Sequence, residues 1–539
     1  MVRKSLLFMF GILVAATGFA QTELKIVAES SNFEATSMYS DVLQFIDKLK
    51  KQSKLIGVEN IGYTVEGKEI PMLIMSNPLP KKPSDLQNDS RIVFYIQANI
   101  HAGEVEGKEA SLMFARDLLQ PKYSELLKKV VFLIVPNLNA DGNDHASENN
   151  RTNQNGPKVV GVRHNGAYLD MNRDGLKLET PEMSAVISQV INRWNPEIVL
   201  DCHTTNGVYR QEPVTFSWMA NPNGNRELIN YMRDKLMPAV AKQLHETYKI
   251  ENCFYGEFNN MQYPDSGYVQ YAAEPRYFVN YMGIRNRLAV LNENFVYAPF
   301  KDRVWGCYYL MFSLTDMAIE QKESIKKMIA SAENALKTKF SGAAAADSFA
   351  IKYKGIPTPE KILVRTYKVE PYTDENGRRR MKKTEDKLDV MVDYIADYVA
   401  IESVVFPFAY IMNVPDAKVL ENLKKHGIIV ERLSEKQSFS VEEFNFTELK
   451  PEQRLNQGHY NNLSKGAYKT INKEFEKDTY IIRTSQSLGN LVVYLFEPLS
   501  DDGYVFWNFF DKYLTPQWGR GFYPYPVYKL GHKTEIKSY

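Results

Sequence analysis

The sequence has few cysteines and almost no net charge. Its 539 residues include three cysteines, Cys202, Cys253 and Cys307, too few and too scattered for a disulfide framework or a cysteine-rich metal site. Lysine and arginine number 66 against 65 aspartate and glutamate residues, a net charge of +1, so no global field would attract a polyanion and no nucleic-acid partner is expected. With 44% hydrophobic residues, the chain has globular proportions, and its length predicts two domains.

After the N-terminus, the sequence lacks any apolar run long enough to span a bilayer. At the N-terminus, a basic start, an apolar stretch at 6–19 and a small-residue pattern at 18–20 predict a cleaved signal peptide over residues 1–20. The mature chain would then begin near Gln21 and be exported, to the periplasm or outside the cell. The alternative is an uncleaved membrane anchor, but the apolar run is shorter than the roughly 20 residues that a spanning helix needs.

Strand and helix patterns alternate between residues 37 and 339. The pattern opens with an amphipathic helix at 37–52 and a hairpin at 55–76. Strands are then predicted at 92–98, 130–136, 198–201 and 287–291, and helices at 105–119, 182–194, 225–247 and 303–339. This alternation predicts an α/β fold with a mixed, centrally parallel sheet flanked by helices.

A run of small residues predicts a linker at 341–348 between a domain over 21–340 and a smaller domain over 349–539. The smaller domain is expected to be β-rich or α+β. Its strand-like segments are 362–370, 398–406, 480–483 and 491–496, and a short helix is predicted at 416–425. The basic run at 378–383 follows a turn signal, which favours a solvated hairpin tip over an anionic ligand site.

Histidine and carboxylate side chains follow the predicted strands. Strand 92–98 leads into His101 and Glu104, and strand 198–201 leads into His203. Because open α/β sheets place their crevice at the carboxyl ends of the strands, we expect these side chains to lie close together. Two histidines and one carboxylate form the ligand set of a catalytic zinc with an open fourth position. Glu293 follows the next strand and would accept a proton there; alone, it could equally be a salt-bridged strand end.

Asn172 and Arg173 are consecutive residues that follow a short apolar segment. A guanidinium binds a carboxylate through two parallel hydrogen bonds, which suggests a site for a substrate carboxylate. A structural ion pair of Arg173 with Asp170 or Asp174 explains the same residues equally well.

Five short motifs together resemble the zinc carboxypeptidase family, the carboxypeptidase A-like metallopeptidases, over roughly residues 35 to 340. The motifs are HAGE at 101–104, PNLNADG at 136–142, LDMNR at 169–173, DCH at 201–203 and LNE at 291–293. The resemblance implies one zinc ion held by His101, Glu104 and His203. It also implies that Glu293 is the general base and acid.

The resemblance extends to the residues around the metal. Asn172 and Arg173 match the pair that holds the free C-terminal carboxylate of a peptide. Asp170 matches a position expected to orient His101 through the ring nitrogen that does not bind the metal. The C-terminal part resembles an extension seen in some exported bacterial members, which implies no role for it.

Two further roles have several candidates in this sequence. Arg151 and Arg163 both precede Asn172, and either is a candidate for the arginine that stabilises the oxyanion in the family. Tyr271 is favoured, by its distance from Glu293, as the tyrosine that caps the substrate terminus, and Tyr268 and Tyr281 are the other candidates.

The sequence therefore predicts an exported zinc metallocarboxypeptidase that hydrolyses the C-terminal amide bond of peptides with a free C-terminal carboxylate. The nearest alternative is a zinc amidase or endopeptidase that acts on cell-wall peptides. An alternative of a different class is a binding protein on a hydrolase scaffold. The side-chain preference depends on residues between His203 and Glu293 and is left open.

Overall fold

The computed structural model of the chain describes residues 24–205, 207–270, 272–341, 347–516 and 518–539. The signal peptide expected at 1–20 and most of the linker expected at 341–348 lie outside these ranges. Within them, no helix combines the length and the apolar character needed to cross a membrane.

The first part of the chain contains the predicted hairpin and the four predicted strands, together with four strands between residues 214 and 269 that were not predicted. In chain order they are β1 (Ile56–Tyr63), β2 (Glu69–Met75), β3 (Ile92–Ala98), β4 (Val130–Val135), β5 (Ile198–Thr205), β6 (Val214–Trp218), β7 (Asn252–Phe254), β8 (Glu257–Phe258), β9 (Tyr268–Val269) and β10 (Leu288–Phe295). The main sheet has the order β1-β2-β4-β3-β5-β10-β6-β7. Its centre, β4-β3-β5-β10, is parallel, whereas β1, β2 and β6 join in antiparallel pairs. The expected mixed, centrally parallel sheet is confirmed.

Helices flank this sheet. They are α1 (Val27–Ser30), α2 (Tyr39–Gln52), α3 (Glu106–Asp117), α4 (Ser124–Lys129), α5 (Ala140–Asp144), α6 (Pro181–Ala185), α7 (Asn192–Trp194), α8 (Arg226–Tyr231), α9 (Met237–Glu246), α10 (Phe278–Ile284), α11 (Phe300–Glu320) and α12 (Lys322–Thr338). The π-helical segments Val186–Ile191 and Met232–Leu236 join α6 to α7 and α8 to α9. Thr180 caps α6, because its side chain accepts a hydrogen bond from the backbone of Met183 and Pro181 occupies the first turn.

Two strands are longer than expected. The predictions ended them at residues 201 and 291, whereas β5 runs to Thr205 and β10 to Phe295. The reason is a parallel ladder between them, which continues through the pairs His203 with Glu293 and Thr205 with Phe295. His203 and Glu293 therefore lie within the sheet and not in the loops that follow it.

The second part of the chain is rich in strands, as expected. Its strands are β11 (Ser348–Pro357), β12 (Ile362–Thr373), β13 (Arg379–Val392), β14 (Tyr394–Val405), β15 (Ala409–Met412), β16 (Glu431–Arg432), β17 (Gln437–Pro451), β18 (Asn462–Phe475), β19 (Tyr480–Arg483) and β20 (Val527–Leu530), and its helices are α13 (Ala417–His426), α14 (Gly489–Phe496) and α15 (Asp511–Leu514). A separate sheet has the order β16-β19-β15-β20-β17-β18, and β12 pairs with β13 as a hairpin around the turn at 374–378.

The strand predicted at 491–496 is wrong, because these residues form helix α14. Every residue from Leu491 to Phe496 is buried, so the apolar run has no polar face whose spacing could separate a helix from a strand. The helix lies between the two parts of the chain, where the Asn490 side chain donates a hydrogen bond to the carbonyl of Asn223.

The two parts of the chain also share a sheet, with the order β11-β14-β9-β8. Here β14 runs parallel to β9, with Tyr394 opposite Tyr268 and Ile395 opposite Val269. Whether the two parts fold as independent domains stays a prediction.

Candidate metal centre and active site

His101, Glu104 and His203 meet at one point beside the central strands. All three are buried, and one ligand atom from each lies within 4.8 Å of the others. His101 and Glu104 follow β3 in a tight turn, in which the Glu104 N–H donates to the His101 carbonyl. His203 projects from β5, the parallel neighbour of β3. The convergence predicted from the sequence is present.

Each imidazole is held by a carboxylate on the side away from this point. His101 Nε2 lies 2.9 Å from Asp170 Oδ1, and His203 Nε2 lies 2.9 Å from Asp201 Oδ2. Since a carboxylate accepts hydrogen bonds, each ring places an N–H at Nε2, which leaves Nδ1 as the nitrogen that faces Glu104 and could bind a metal. The expected role of Asp170 as the partner of His101 agrees with this contact.

The three ligand atoms have the spacing of a tetrahedral metal site. His101 Nδ1 and His203 Nδ1 are 3.2 Å apart, and Glu104 Oε2 lies 3.2 Å and 3.1 Å from them. Bonds of about 2.0–2.1 Å to zinc place neighbouring tetrahedral ligands about 3.3 Å apart. The donor set of two imidazoles and one carboxylate, and its dimensions, fit a zinc ion.

The charges around this point favour a cation. Burial opposes ionisation of Glu104, but the positive charges of His101 and Arg151 hold the pKa of its carboxyl well below the usual range. Burial also opposes a charge on His203, yet Asp201 and Glu104 raise its pKa well above the ordinary value. The same carboxylates that would hold a proton on His203 would stabilise a metal ion in its place.

Glu293 faces a cavity that is also lined by two of these ligands. The cavity has a volume of about 360 Å³ and is lined by His101, Glu104 and Glu293 among others. Burial raises the pKa of Glu293 to about 8, although the positive charge of His203 opposes this shift. A carboxyl that titrates near neutral pH is suited to take and return a proton.

Both candidate arginines reach Glu104, but their surroundings differ. Arg151 Nη1 donates to Glu104 Oε1 at 2.9 Å, and its other nitrogens donate to Gln154 and to the Thr204 carbonyl. Arg163 Nε donates to Asp170 at 2.9 Å, its Nη1 lies 3.4 Å from Glu104 Oε1, and the side chain lines the cavity. Arg163 is therefore the arginine that a substrate in the cavity would meet.

Asn172 and Arg173 also line the cavity. Asn172 is fixed from α10, because its Oδ1 accepts the backbone N–H of Phe278 at 3.0 Å. The Arg173 guanidinium lies over the ring of Tyr277, 4.5 Å from its centroid, and Nη1 donates to the Asn172 carbonyl. Arg173 Nη1 lies 3.8 Å from Asp170 Oδ2. The structural ion pair considered as the alternative is therefore present only as a long contact.

None of the three tyrosines expected to cap the substrate terminus is seen to line the cavity in the described part of the chain. Tyr271 lies outside the described residues. Tyr268 and Tyr281 are fully buried, and their hydroxyls bond to Arg210 and to His426 respectively. Neither of these two lines the cavity, whereas Tyr255 and Tyr277 do.

Several residues at the site were missed by the sequence analysis. Asp201 could have been found, because it lies two residues before His203 in the same strand and so projects from the same face. Tyr277 gave no such signal, because its spacing in the sequence does not relate it to Arg173, whose guanidinium it contacts. Gln457, whose side chain accepts a hydrogen bond from the backbone of Asp170, is 287 residues away in the sequence.

Comparisons with known proteins give the same family that the sequence motifs resemble. The family model of the zinc carboxypeptidases matches residues 42–281. No curated protein matches the chain.

Solved structures overlap with about half of the chain. A metallo-carboxypeptidase from Burkholderia cenocepacia has 16% identity and a TM-score of 0.40, over 53% of this chain and 70% of its own. A metallo-carboxypeptidase from Pseudomonas aeruginosa, in complex with (2-guanidinoethylmercapto)succinic acid, has 16% identity and a TM-score of 0.39, over 54% and 70%. Carboxypeptidase A from Helicoverpa armigera has 15% identity and a TM-score of 0.39, over 54% and 75%.

The family match spans His101, Glu104, Asn172, Arg173 and His203. Residues 42–281, somewhat less than half of the chain, therefore match the zinc carboxypeptidase family of metallopeptidases.

Proposed function

We propose that this protein is a zinc-dependent carboxypeptidase that removes the last residue of peptides with a free C-terminal carboxylate. The observation that carries the proposal is a single cavity lined by Glu293, by Arg173 and by two of the three candidate metal ligands, His101 and Glu104. Such a reaction requires a general base near the metal and a group that binds the terminal carboxylate in the same cavity.

His101, Glu104 and His203 would hold the metal. When bound, zinc polarises a carbonyl group and lowers the pKa of a water molecule to about 7. Glu293 takes the proton of the attacking water and later delivers it to the departing amine, because burial raises the pKa of its carboxyl and so favours proton uptake.

Arg163 stabilises the negative charge that develops on the carbonyl oxygen of the substrate. Its Nε is fixed by Asp170, so the guanidinium is oriented before the substrate arrives. Preorganised donors of this kind contribute several kcal/mol to a transition state, because they need no rearrangement during the reaction.

Asn172 and Arg173 hold the terminal carboxylate of the substrate. The stacking of Arg173 on Tyr277 limits the orientations of the guanidinium, which favours a charged, directional hydrogen bond. Since the cavity binds the free carboxylate, cleavage would occur one residue from the end of the peptide.

The test compares Glu293→Gln with the unaltered protein. We expect kcat to fall about 10²- to 10⁴-fold, with one equivalent of zinc still bound, as measured by metal analysis. Glu323→Gln is the matched control, because its side chain is 85% exposed on α12. Full activity of the Glu293→Gln protein would contradict the assignment of the base.

Peptides with free and with amidated C-termini separate the proposal from its alternatives. Preference for the free carboxylate supports a carboxypeptidase, and equal cleavage of both would favour the amidase or endopeptidase. Bound zinc without hydrolysis of a broad peptide panel would favour a binding protein. Export stays a prediction from residues 1–20, and N-terminal sequencing of the protein from its native cell would test it.

A further inference from the structure

A tight turn in the second part of the chain reaches the metal site. Asn456 and His459 exchange two backbone hydrogen bonds, of 2.8 Å and 2.9 Å. The two residues between them, Gln457 and Gly458, have φ of +51° and +80°, the combination found in type I′ turns. The turn places the Gln457 side chain at its tip.

Gln457 contacts the residue that holds His101. Its Oε1 accepts a hydrogen bond from the backbone N–H of Asp170 at 2.7 Å. Asp170 is 5% exposed, and a buried N–H without a partner costs about 1–3 kcal/mol. The Asp170 carboxylate in turn contacts His101 through Oδ1 and Arg163 through Oδ2, each at 2.9 Å.

The turn is itself fixed in place. His459 Nε2 lies 2.8 Å from Glu179 Oε2, and its Nδ1 lies 3.1 Å from Asn508 Oδ1. The imidazole also packs edge-on against Trp507, with centroids 5.4 Å apart. Since Glu179 belongs to the first part of the chain and Asn508 and Trp507 to the second, His459 locks the turn between them.

We propose that the turn at 456–459 completes the support of the metal site, with Gln457 as a positioning residue. Gln457 fixes the backbone of Asp170, and Asp170 fixes the ring of His101 with its Nδ1 towards the metal. The inference rests on the proposed metal site, and it gives the second part of the chain a role in metal affinity. Mutation of residues that support metal ligands through hydrogen bonds typically lowers metal affinity or activity 10- to 100-fold.

The test measures the zinc dissociation constant of the full-length protein by competition with a chelator. Gln457→Gly removes the acceptor without backbone strain, because glycine accepts a φ of +51° readily. Gln457→Glu keeps a carbonyl-type oxygen at the same reach. Leu455→Ala is the control, because Leu455 is 57% exposed in the same loop.

We expect Gln457→Gly to weaken zinc binding about 10- to 100-fold, and Gln457→Glu to restore most of it. At saturating zinc, kcat should fall while KM is unchanged, because Gln457 is not among the residues that line the substrate cavity. Should the glycine variant not fold, Gln457→Asn replaces it, since its amide is one methylene too short to reach Asp170.

Unchanged zinc affinity in a folded Gln457→Gly protein would overturn the inference. An equal loss in the Gly and Glu variants would also overturn it, because the acceptor would then not be responsible. The affinity measurement needs no substrate. A protein that binds zinc in this Gln457-dependent way but hydrolyses no peptide would therefore refute the proposed function and leave this inference intact.

Discussion

We expect the buried side chain of His426 to make the folded protein less stable at acidic pH. It is fully buried at the end of α13, where Nδ1 lies 2.8 Å from the Tyr281 hydroxyl and Nε2 lies 2.9 Å from the Leu176 carbonyl. Both contacts suit the neutral ring. Burial lowers the pKa of His426 to about 3, and the charges of Arg285 and Lys425 act in the same direction.

The difference between the pKa of His426 in the folded and in the unfolded chain sets the size and the sign of the change in stability. In the unfolded chain, histidine titrates at about 6.5, so between pH 6.5 and pH 3 the unfolded state binds a proton that the folded state does not. Stability therefore falls as the pH is lowered through this window. At pH 5 the loss is about 2 kcal/mol relative to pH 7, from the linkage of proton binding to unfolding.

Urea unfolding at pH 7 and pH 5 measures this loss. His426→Gln keeps hydrogen-bonding groups but cannot titrate, so its stability should change by about 2 kcal/mol less between the two pH values. The other histidines are the same in both proteins, so their contribution to the pH dependence cancels in the comparison. His532→Gln, at an exposed position, controls for the loss of a histidine. If the His426→Gln protein showed the same pH dependence as the unaltered one, the reasoning would be refuted.

Three other changes test the site and its support. Arg173→Ala should raise KM for peptides with a free C-terminus about 30-fold, the equivalent of losing about 2 kcal/mol of charged hydrogen bonding, and should leave KM for amidated peptides unchanged. Steady-state kinetics measures both values, and an equal change for the two substrates would contradict the role of Arg173. Asp201→Asn should weaken zinc binding about 10- to 100-fold, because the partner of His203 loses its charge; chelator competition measures this, and unaltered affinity would argue against the role of Asp201. Thr180→Ala should lower the free energy of unfolding by about 1 kcal/mol, because α6 loses its cap, whereas Thr180→Ser should keep the cap and the stability. Equal denaturation midpoints for the two variants would contradict the role of this cap.

The metal ligands could be predicted from the sequence because their positions follow from the sheet. His101 and Glu104 come after one parallel strand and His203 lies on its neighbour, so strand order alone brings them together. Glu293 follows the same logic, since β10 pairs with β5 in register.

Other contacts had no local signal in the sequence. The choice of Arg163 over Arg151 depends on which guanidinium faces the cavity, and both are near Glu104. Helix α14 was mistaken for a strand because its residues from Leu491 to Phe496 are all buried, so the sequence shows no polar face. The contact of Gln457 with Asp170 depends on how distant segments pack, which the spacing of residues does not encode.

The pairing of β14 with β9 has a consequence for any attempt to isolate the catalytic region. Besides the strand ladder, the N–H groups of Tyr268 and Gln270 donate to the carbonyls of Asp393 and Ile395, each at 3.0 Å. A chain stopped at residue 341 would lose these partners and expose an open edge, which invites self-association. We therefore expect that a shortened chain containing the metal site would need to retain the strand Tyr394–Val405.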